Sequence, residues 1–544
     1  MAGRRTGRVF RGNGRTLLKF LLNPASYAPR PRSVRLVQTH ASLVILASPH
    51  VFKVKKPVDF GFLDFSTLAK RHAACLTEVE LNRRLTTGVY LGVVAIVRDG
   101  GRLRFAQAGE RGRVVEYAVQ MRRLSSRSFL DHRLRRREVG RREIGRIVAF
   151  LARFYRAQHP TKETSQWGTV ANLRFNTDEN FVQAERHAGR TISRECLAAI
   201  RAYTEGFLRR HGNFFTRRVR EGWIRDCHGD LHAEHIHVTP QAVNIYDCIE
   251  FNDRFRYGDV ASDTAFLAMD LDFEHRPDLA SDFVARMARA LDDDGMVHLM
   301  DFYKCYRAFV RGKVESLHGL AAQAPAAERS AAVDQARRYF HLALRYAILG
   351  SAPTVLVVMG GIGSGKSRLA GAIASELGCD LHSSDRIRKT LAGQPLLKRT
   401  PAKDRARLYA AGMTRRTYDV LLDHALGAVR GGDCVVIDAT FGSRQHRSAF
   451  RRAVSAADGS VIFVEAHAPA AVVRKRLASR ERARGEVSDA RLEDYAALAR
   501  RYGKPAELPA SQRIRVSTSG PPTATLVLAL KQLVGLRLAS RTAT

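Results

Sequence analysis

The chain has 544 residues, 45% of them hydrophobic, and a formal net charge of +37. This length indicates two or three domains with substantial hydrophobic cores. The positive charge suits an anionic partner such as ATP, nucleic acid or a membrane surface. An arginine-biased chain with a passive basic surface has the same composition, however. Because no long basic block is interleaved with stacking aromatic residues, this second interpretation is favoured over nucleic-acid binding.

The apolar segments and the cysteines indicate the compartment. No run approaches the ~20 apolar residues that a membrane-spanning helix needs, which excludes a membrane protein. The candidate signal core at residues 16–22 is short and interrupted by Lys19, so export is rejected. The seven cysteines form no C-x-x-C pair and are odd in number, which predicts reduced thiols in a reducing compartment. We therefore expect a cytoplasmic protein.

The first segments predict a basic arm followed by a small sheet. Residues 1–33 are basic and rich in proline, and we expect them to be loosely ordered. Strands are predicted at 33–38, 42–47 and 51–57, and the alternation in the third puts Lys53 and Lys55 on one face. Residues 67–85 are predicted to form a helix that carries Glu78. A strand lysine paired with a helix glutamate is the device by which protein-kinase-type folds place a lysine on the ATP phosphates.

Three motifs further along the chain resemble one family. Residues 226–237, DCHGDLHAEHIH, resemble the H-G-D-x-x-x-x-N catalytic loop of the aminoglycoside and choline phosphotransferases. Residues 243–250, VNIYDCIE, resemble the same family's apolar strand that ends in a metal-binding aspartate, and 258–263, GDVASD, its G-D-x-x-x-D motif. The resemblance covers residues 34–345 and implies an α+β, protein-kinase-like domain of the aminoglycoside phosphotransferase type.

This resemblance also implies roles for individual residues. Asp230 corresponds to the aspartate that orients and deprotonates the acceptor hydroxyl, and Asp247 to the aspartate that holds Mg²⁺ on the ATP phosphates. Glu78 is expected to pair with Lys53 or Lys55, and which of the two lysines contacts phosphate stays open. Asp263 is expected to tie down the catalytic loop without touching substrate.

One position departs from the family pattern. His235 stands where the family has a Mg²⁺-binding asparagine, and imidazole suits transition metals better than the hard Mg²⁺ ion. We therefore predict that the first site, if active, prefers Mn²⁺ to Mg²⁺. A zinc cluster is the alternative interpretation of the histidines at this place, which are His228, His232, His235 and His237. The order of aspartate, histidine and strand aspartate favours the kinase-like site.

Residues 264–345 are predicted to be helical throughout, with aromatic and aliphatic stripes that indicate helix-on-helix packing. The alanine-rich run 320–332 is typical of a helix-forming connection. Gly350 and Pro353 mark a boundary at residues 350–353.

The most specific motif lies just after this boundary. Residues 354–359 are predicted to form a buried strand, 360–367 match G-x-x-x-x-G-K-[ST], and an amphipathic helix follows. Such a loop turns its backbone N–H groups toward phosphate oxygens. Lys366 is expected at the β and γ phosphates, and the Ser367 hydroxyl on Mg²⁺. The predicted nucleotide-binding residues are Gly360, Gly361, Ile362, Gly363, Ser364, Gly365, Lys366 and Ser367.

The rest of the chain alternates strands with helices, the pattern of an α/β parallel sheet. Strands are predicted at 380–382, 434–440, 461–465 and 513–517, and an arginine-rich helix at 472–484. The domain resembles the small P-loop kinases, among them polynucleotide 5′-hydroxyl, gluconate, shikimate and zeta-toxin-like kinases. This resemblance implies that Asp385 accepts the proton of the acceptor hydroxyl and that Asp438 helps to hold hydrated Mg²⁺. It also implies that Arg476 and Arg480 belong to a lid over the phosphates.

These patterns predict a basic arm (1–33), an aminoglycoside phosphotransferase-like domain (34–345) and a P-loop kinase domain (346–544). The arrangement resembles bacterial proteins described as bifunctional phosphotransferase and ATP-binding proteins. ATP and Mg²⁺ are the implied cofactors, and a small hydroxylated molecule is the implied acceptor. Two alternatives stay open: a polynucleotide 5′-hydroxyl kinase, and a nucleotide-gated regulatory protein with a degenerate first site. The sequence is silent on the identity of the acceptor and on the oligomeric state.

Overall fold

A computed structural model of the protein describes residues 14–107, 110–321, 324–482 and 487–540. Two compact units emerge from the contacts within the chain. The first comprises Met1–Leu173 and Gly212–Tyr303, and the second Arg174–His211 and Lys304–Thr544. The predicted domain ranges, 34–345 and 346–544, stay a prediction, since these units divide the chain at other places. The first 13 residues of the predicted arm, and Arg484 of the predicted arginine helix, lie outside the described residues.

Fifteen strands are found in the described ranges. They are β1 Arg35–Gln38, β2 Ser42–Ala47, β3 His50–Lys55, β4 Tyr90–Asp99, β5 Arg102–Ala106, β6 Arg113–Arg122, β7 Ile224–Asp226, β8 Ile236–Val238, β9 Val243–Ile245, β10 Tyr257–Asp259, β11 Thr354–Met359, β12 Asp380–Ser383, β13 Val435–Asp438, β14 Ser460–His467 and β15 Arg513–Ser517.

The same ranges contain 21 α-helices. They are α1 Gly14–Leu22, α2 Leu68–Arg83, α3 Leu130–Arg135, α4 Arg141–Ala157, α5 Lys162–Ser165, α6 Val170–Glu185, α7 Arg194–Arg210, α8 Gly212–Arg220, α9 Asp253–Arg256, α10 Val260–Phe273, α11 Pro277–Leu291, α12 Met296–Gly319, α13 Ala326–Ile348, α14 Lys366–Leu377, α15 Ser384–Leu391, α16 Ala402–Leu408, α17 Ala411–Arg430, α18 Arg444–Ser455, α19 Ala470–Arg482, α20 Tyr495–Arg501 and α21 Pro522–Ser540. Within the described part of the chain, none of them is long and apolar enough to cross a bilayer.

The first unit begins with an antiparallel sheet of six strands in the order β1-β2-β3-β6-β4-β5. Helix α2 packs on β4 and β6, where Cys75 and Val79 meet Val119 and Met121. The alternation of β3 points Lys53 and Lys55 to the face that α2 covers, so both lysines reach Glu78 of that helix. The sheet therefore brings the predicted lysines and glutamate together.

The prediction of a loosely ordered arm is wrong for its second half. Residues 14–22 form α1, and Leu17 and Leu21 are buried in one cluster with Tyr27 and Phe52. The Tyr27 hydroxyl donates a hydrogen bond to the Leu21 carbonyl. The spacing of the leucines on one helix face gives α1 an apolar stripe, and burying that stripe against the sheet orders the segment.

The rest of the first unit is mainly helical and holds two short hairpins. Strand β7 pairs with β10, and β8 pairs with β9, both antiparallel. The β8–β9 hairpin brings the residues just before β8 next to those just after β9. Helix α10 is buried along almost its whole length, including its aspartates Asp263 and Asp270. Buried carboxylates need hydrogen-bond donors, and the loop before β8 supplies them.

The second unit is built on a parallel sheet in the order β12-β13-β11-β14-β15. Strand β11 is buried at all six positions, as both faces of the sheet are covered by helices. The five strands predicted from the sequence all form, and the predicted strand 513–517 has the bounds of β15. Because the strands are parallel, their last residues lie at one edge of the sheet. Four of these last residues are Met359, Ser383, Asp438 and Ser517.

Helices on both sides of residue 345 pack within this second unit. Helix α7 contacts α13 and α21, and α13 contacts α14 directly after the phosphate loop. A Cβ on Gly206 of α7 would lie 2.5 Å from Leu538 of α21, so these two helices are in close contact. This packing explains why the helical segments 174–211 and 304–348 belong to the second unit.

The prediction that all cysteines are reduced is wrong for one pair. Cys379 and Cys434 form a disulfide, with their Cα atoms 6.1 Å apart. They directly precede β12 and β13, whose pairing aligns Asp380 with Val435. The register of two neighbouring parallel strands therefore brings together cysteines that are 55 residues apart, without any C-x-x-C spacing. The other five cysteines, all within the described residues, are buried and are not disulfide-bonded.

Candidate functional site

The loop between β11 and α14 has the tight curl that its glycines predict. Gly360, Gly363 and Gly365 adopt φ values of +151°, +66° and +85°. A Cβ on Gly360 would lie 2.3 Å from the Ala466 carbonyl oxygen, and one on Gly363 would lie 2.8 Å from Val473. Only glycine fits these positions. The loop leads into the N-terminus of the 12-residue helix α14, which adds the positive end of its dipole.

Asp438 stands at the end of β13, beside the start of α14. It is 3% exposed, and the side chains of Ser367 and Ser383 lie beside its carboxyl. Its Oδ1 atom is buried and has no hydrogen-bond partner among the residues that the structure describes. Burial raises the pKa of this carboxyl, while Lys366 and Ser367 act in the opposite direction. A carboxylate oxygen left unpaired beside a serine hydroxyl fits the all-oxygen ligand set of Mg²⁺.

Asp385 lies on the same edge of the sheet. It is the second residue of α15, directly after β12, and its charge contributes to raising the pKa of Asp438. Arg388 is buried one turn later, with its Nη1 atom 3.6 Å from Asp385 Oδ1 and its guanidinium over the ring of Tyr409. Asp385 is thus partly buried and held by Arg388. The structure brings Lys366, Ser367, Asp385 and Asp438 to one edge, as expected from their positions after strands.

Arg476 of α19 touches the phosphate loop. It donates hydrogen bonds from Nη1 to Thr518 Oγ1 (3.1 Å) and from Nη2 to the Thr518 carbonyl (2.5 Å). Thr518 in turn donates from Oγ1 to the Ser364 carbonyl at 2.6 Å. A Cβ on Gly365 would lie 3.1 Å from Arg476 Nη1. Thr518, which follows β15, is a contact that no sequence motif marks.

The second predicted arginine, Arg480, lies one turn further along α19. Its backbone carbonyl accepts a hydrogen bond from Arg399 Nη2 at 2.6 Å. Burial lowers the pKa of Arg476, and the charges of Arg368 and Arg480 lower it further. Three arginine charges therefore gather near the loop, which favours an anionic ligand there.

A second cluster of charges lies in the first unit. Lys53 Nζ is 2.9 Å from Glu78 Oε1 and 2.5 Å from Asp247 Oδ1. Lys55 Nζ is 2.7 Å from Glu78 Oε2 and also contacts Glu250. The Lys53 side chain is 14% exposed, whereas that of Lys55 is fully buried. Glu250 completes the cluster, and no motif in the sequence had assigned it a role.

Lys53 and Asp247 keep their charges although they lie in a buried cluster. Burial acts to lower the pKa of Lys53, but Asp247 and Glu78 outweigh it and hold the pKa well above its usual range. Burial acts to raise the pKa of Asp247, but Lys53 and His235 hold it below its usual range. Burial raises the pKa of Glu250 despite Lys55. Lys53 is therefore a cation that forms ion pairs with Glu78 of α2 and with Asp247, which follows β9.

The loop before β8 is held by α10, as predicted for Asp263. The Asp263 carboxylate accepts hydrogen bonds from the backbone N–H groups of His228 and Gly229, both at 2.9 Å. It also accepts one from the Tyr155 hydroxyl at 2.8 Å. Gly229 has φ +84°, and a Cβ there would lie 2.8 Å from the Phe255 carbonyl oxygen. These contacts confirm that Asp263 positions the loop.

The four histidines of this region do not form one zinc cluster. The His228 ring accepts a hydrogen bond at Nδ1 from the Asp230 N–H (3.2 Å), so its Nε2, 3.0 Å from the Tyr246 carbonyl oxygen, carries the proton. Both of its ring nitrogens are therefore engaged. The His237 ring packs edge-on against Phe129, with 5.2 Å between ring centroids. The zinc interpretation is thus wrong for the cluster of four.

Three of the residues nevertheless form a compact set of metal ligands. Asp230, His232 and His235 each offer one ligand atom, all within 4.8 Å of one another. Asp247 Oδ2 lies 3.5 Å from His235 Nε2. Burial and the neighbouring His232 lower the pKa of His235 to about 4, so its imidazole is neutral at physiological pH. Two imidazoles with carboxylates fit a transition metal such as Mn²⁺ or Zn²⁺ better than Mg²⁺.

Comparisons with known proteins agree with the parallel-sheet unit. Residues 355–505 match the family model described as an AAA domain. Over 485 residues the chain is 32% identical to the uncharacterized proteins Mb2027c of Mycobacterium bovis and MT2060 and Rv2004c of Mycobacterium tuberculosis. These alignments cover 89% of this chain and 92% of each relative.

Two solved structures are similar to about a third of the chain. A gluconokinase from Sinorhizobium meliloti 1021 is 18% identical, with 35% of this chain and 98% of that chain covered, at a TM-score of 0.26. A sugar kinase from Janibacter sp. HTCC2649 is 21% identical, with 35% and 97% covered, at a TM-score of 0.25.

Proposed function

The chain belongs to the same family as the mycobacterial proteins Mb2027c, MT2060 and Rv2004c, and we propose that it is an ATP-dependent phosphotransferase acting on a hydroxyl group of a small molecule. One observation carries the proposal: the loop 360–367 shares a sheet edge with Asp385 and with the unpaired Asp438 oxygen. A donor cradle, a carboxylate for the acceptor and a cation-binding oxygen are the parts that phosphoryl transfer needs.

Each residue of the second unit has a task in this proposal. The N–H groups of the loop and the Lys366 ammonium bind the phosphates of ATP, while Ser367 and Asp438 hold Mg²⁺. The ion, when bound, neutralises phosphate charge. Asp385 orients the acceptor hydroxyl and takes its proton. Arg476 stabilises the charge that spreads over the transferred group, and Arg480 supports it from the next turn.

The cluster of the first unit supports a second site of the same kind, as in a bifunctional phosphotransferase. Lys53, fixed between Glu78 and Asp247, is placed to meet the phosphates of ATP. Lys55 is enclosed by Glu78 and Glu250, which suits a structural role. Asp230 orients and deprotonates the acceptor hydroxyl. Asp247 and His235 hold the metal ion, which neutralises phosphate charge when bound.

The test is transfer of label from γ-labelled ATP in the full-length protein. Acceptors are a pool of hydroxylated metabolites and, separately, oligonucleotides with a 5′-hydroxyl. We expect the wild-type protein to label metabolites. Lys366→Ala should stop the labelling of one subset of them, Asp230→Asn should stop the labelling of another, and the double variant should label neither subset. Lys531→Ala, an exposed lysine of α21, is the matched control and keeps full activity.

Three outcomes would revise the proposal. Label on oligonucleotides alone would make the protein a polynucleotide kinase. Loss of all transfer in Lys366→Ala alone, with Asp230→Asn fully active, would reduce the first unit to a binding module. ATP binding without any acceptor-dependent ADP release would leave a nucleotide-gated regulatory protein.

A further inference from the structure

The first unit contains a cavity of about 650 Å³ that is separate from the charge cluster around Lys53. It lies between the segment that follows β6, helix α3, the first turns of α4 and the turn of the β8–β9 hairpin. Five arginines line it: Arg127, Arg133, Arg136, Arg142 and Arg146. With two glutamates, Glu138 and Glu143, the lining has a formal excess of three positive charges.

Three of these arginines are held in place by the protein. Arg136 forms two hydrogen bonds with the Glu138 carboxylate, at 2.7 and 2.9 Å. Arg133 Nη2 donates to the Glu138 carbonyl at 2.9 Å. Arg146 Nη1 donates to the Thr239 carbonyl at 2.6 Å and so ties α4 to the hairpin turn. The walls of the cavity are therefore pre-organised, which reduces the entropy lost on binding a ligand.

The other two arginines supply charge that the protein does not neutralise. Arg127 and Arg142 are exposed, and their guanidinium groups have no acidic partner among the residues that the structure describes. Glu143 contacts other groups, because its Oε2 accepts the Gly140 N–H at 3.0 Å and caps α4, and its Oε1 lies 3.4 Å from Arg133 Nη2. The planar fork of an arginine matches phosphate and carboxylate oxygens in a bidentate way.

The cavity is distinct from the proposed phosphoryl-transfer site. His235 and Asp247 stand at the open end of the β8–β9 hairpin, whereas Val238 to Pro240 line the cavity at its turn. The four residues from His235 to Thr239 span about 13 Å of extended chain. A ligand in the cavity therefore does not share its contacts with the metal-ligand set.

The size and the lining indicate the kind of ligand. A volume of about 650 Å³ is in the range of small-molecule pockets, which is roughly 300–1,000 Å³. None of the described residues that line the cavity is aromatic, so this lining lacks the stacking platform that single-stranded nucleic acid uses. We propose that this cavity is a binding site for a small molecule with two or more phosphate or carboxylate groups, held by Arg127 and Arg142 against the fixed arginines of α3 and α4.

Calorimetric titration of the full-length Lys366→Ala protein with inorganic pyrophosphate, in EDTA, tests this site with the phosphate loop weakened by the loss of its lysine, and the arginine variants separate binding in the cavity from binding that the loop retains. We expect saturable binding that the Arg127→Ala/Arg142→Ala pair weakens at least about tenfold, as two charge-assisted contacts are lost. The matched control is Arg102→Ala/Arg113→Ala, two exposed arginines of β5 and β6, which leaves the affinity within about twofold. Equal melting curves of both pairs show that folding is intact.

A second titration with citrate in place of pyrophosphate decides between carboxylate and phosphate groups. The anion that binds more tightly identifies the group that the site prefers. The proposal is overturned if the Lys366→Ala protein binds neither anion, or if both arginine pairs weaken binding equally. It is also overturned if a single-stranded oligonucleotide binds more tightly than pyrophosphate and loses affinity in the Arg127/Arg142 pair, because the cavity then belongs to a nucleic-acid surface. None of these outcomes depends on whether phosphoryl transfer is found.

Discussion

In the second unit, eight consecutive residues form the proposed phosphate cradle, whereas the charge cluster of the first unit takes its side chains from β3, α2, the loop before β8 and the segment after β9. The cradle works mainly through backbone N–H groups, whose direction follows from local glycine conformations. The cluster works through side chains that only long-range packing brings together. The two sites therefore differ in what a substitution disturbs.

The two sites also differ in how far the protein itself neutralises their charges. In the first unit Lys55 is already neutralised by Glu78 and Glu250, and all three side chains are almost fully buried. In the second unit the Asp438 Oδ1 atom is left without a partner. We expect substitutions in the first cluster to cost mainly folding stability, and those in the second to cost mainly activity. Four predictions test this contrast.

The largest expected effect is on the stability of the first unit. Lys55→Met should lower its free energy of unfolding by roughly 3–5 kcal/mol, because two buried carboxylates lose their cation. Lys53→Met should cost less stability, since Lys53 is partly exposed, but should abolish transfer by the first site. Both tryptophans, Trp167 and Trp223, belong to the first unit, so urea unfolding followed by tryptophan fluorescence reports on this unit alone. An unchanged transition in Lys55→Met would contradict the contrast.

The next effect concerns activity in the second unit. Lys366→Ala should lower the rate of its phosphoryl transfer roughly 100- to 1,000-fold, in line with the loss of one preorganised charge at the transferred group. The melting temperature should stay the same, because Lys366 is not part of a buried ion pair. Acceptor-dependent ADP release and calorimetry measure the two quantities. If Lys366→Ala lowers the melting temperature but not the rate of phosphoryl transfer, Lys366 has a structural role and not a catalytic one.

The disulfide of the second unit should have a smaller effect. Its reduction should lower the stability of this unit by about 2–4 kcal/mol, since a bond that closes a loop of 55 residues restricts the unfolded chain. Calorimetry with and without a thiol reductant measures the shift, while the tryptophan signal of the first unit should not move. The Cys379→Ala/Cys434→Ala variant is the control and should not respond to reductant. A response there would assign the shift to another cysteine.

The smallest expected effect is on metal preference. The wild-type first site should work faster with Mn²⁺ than with Mg²⁺, because His235 supplies an imidazole ligand. His235→Asn should move the ratio of the two rates toward Mg²⁺ by about tenfold. His132→Asn, an exposed histidine of the same unit, is the matched control. Equal wild-type rates with both ions would contradict the proposed role of His235.

Sequence patterns predicted most of the elements that carry candidate residues. The strand β11, the glycine loop and α14 follow one another along the chain, so local conformational preferences suffice to predict them. Strand alternation placed Lys53 and Lys55 on one face. The resemblance of residues 258–263 to a G-D-x-x-x-D motif led to the expectation that Asp263 holds the loop before β8. Helix α1 was missed because its apolar residues, with Leu17 and Leu21 buried and Leu18 and Phe20 packed beside them, lie within a basic segment.

The chain alone therefore determined the local features, which are the glycine loop and the parallel-sheet pattern, and its motifs marked Asp230, Asp247 and Asp438 as candidate residues. Only the tertiary structure decided which separated residues meet, as with Glu250 at Lys55, Thr518 at Arg476, Cys379 at Cys434 and the five arginines around one cavity. The reason is physical. A contact between residues far apart in sequence leaves no periodic trace along the chain, since strand register and helix packing create it.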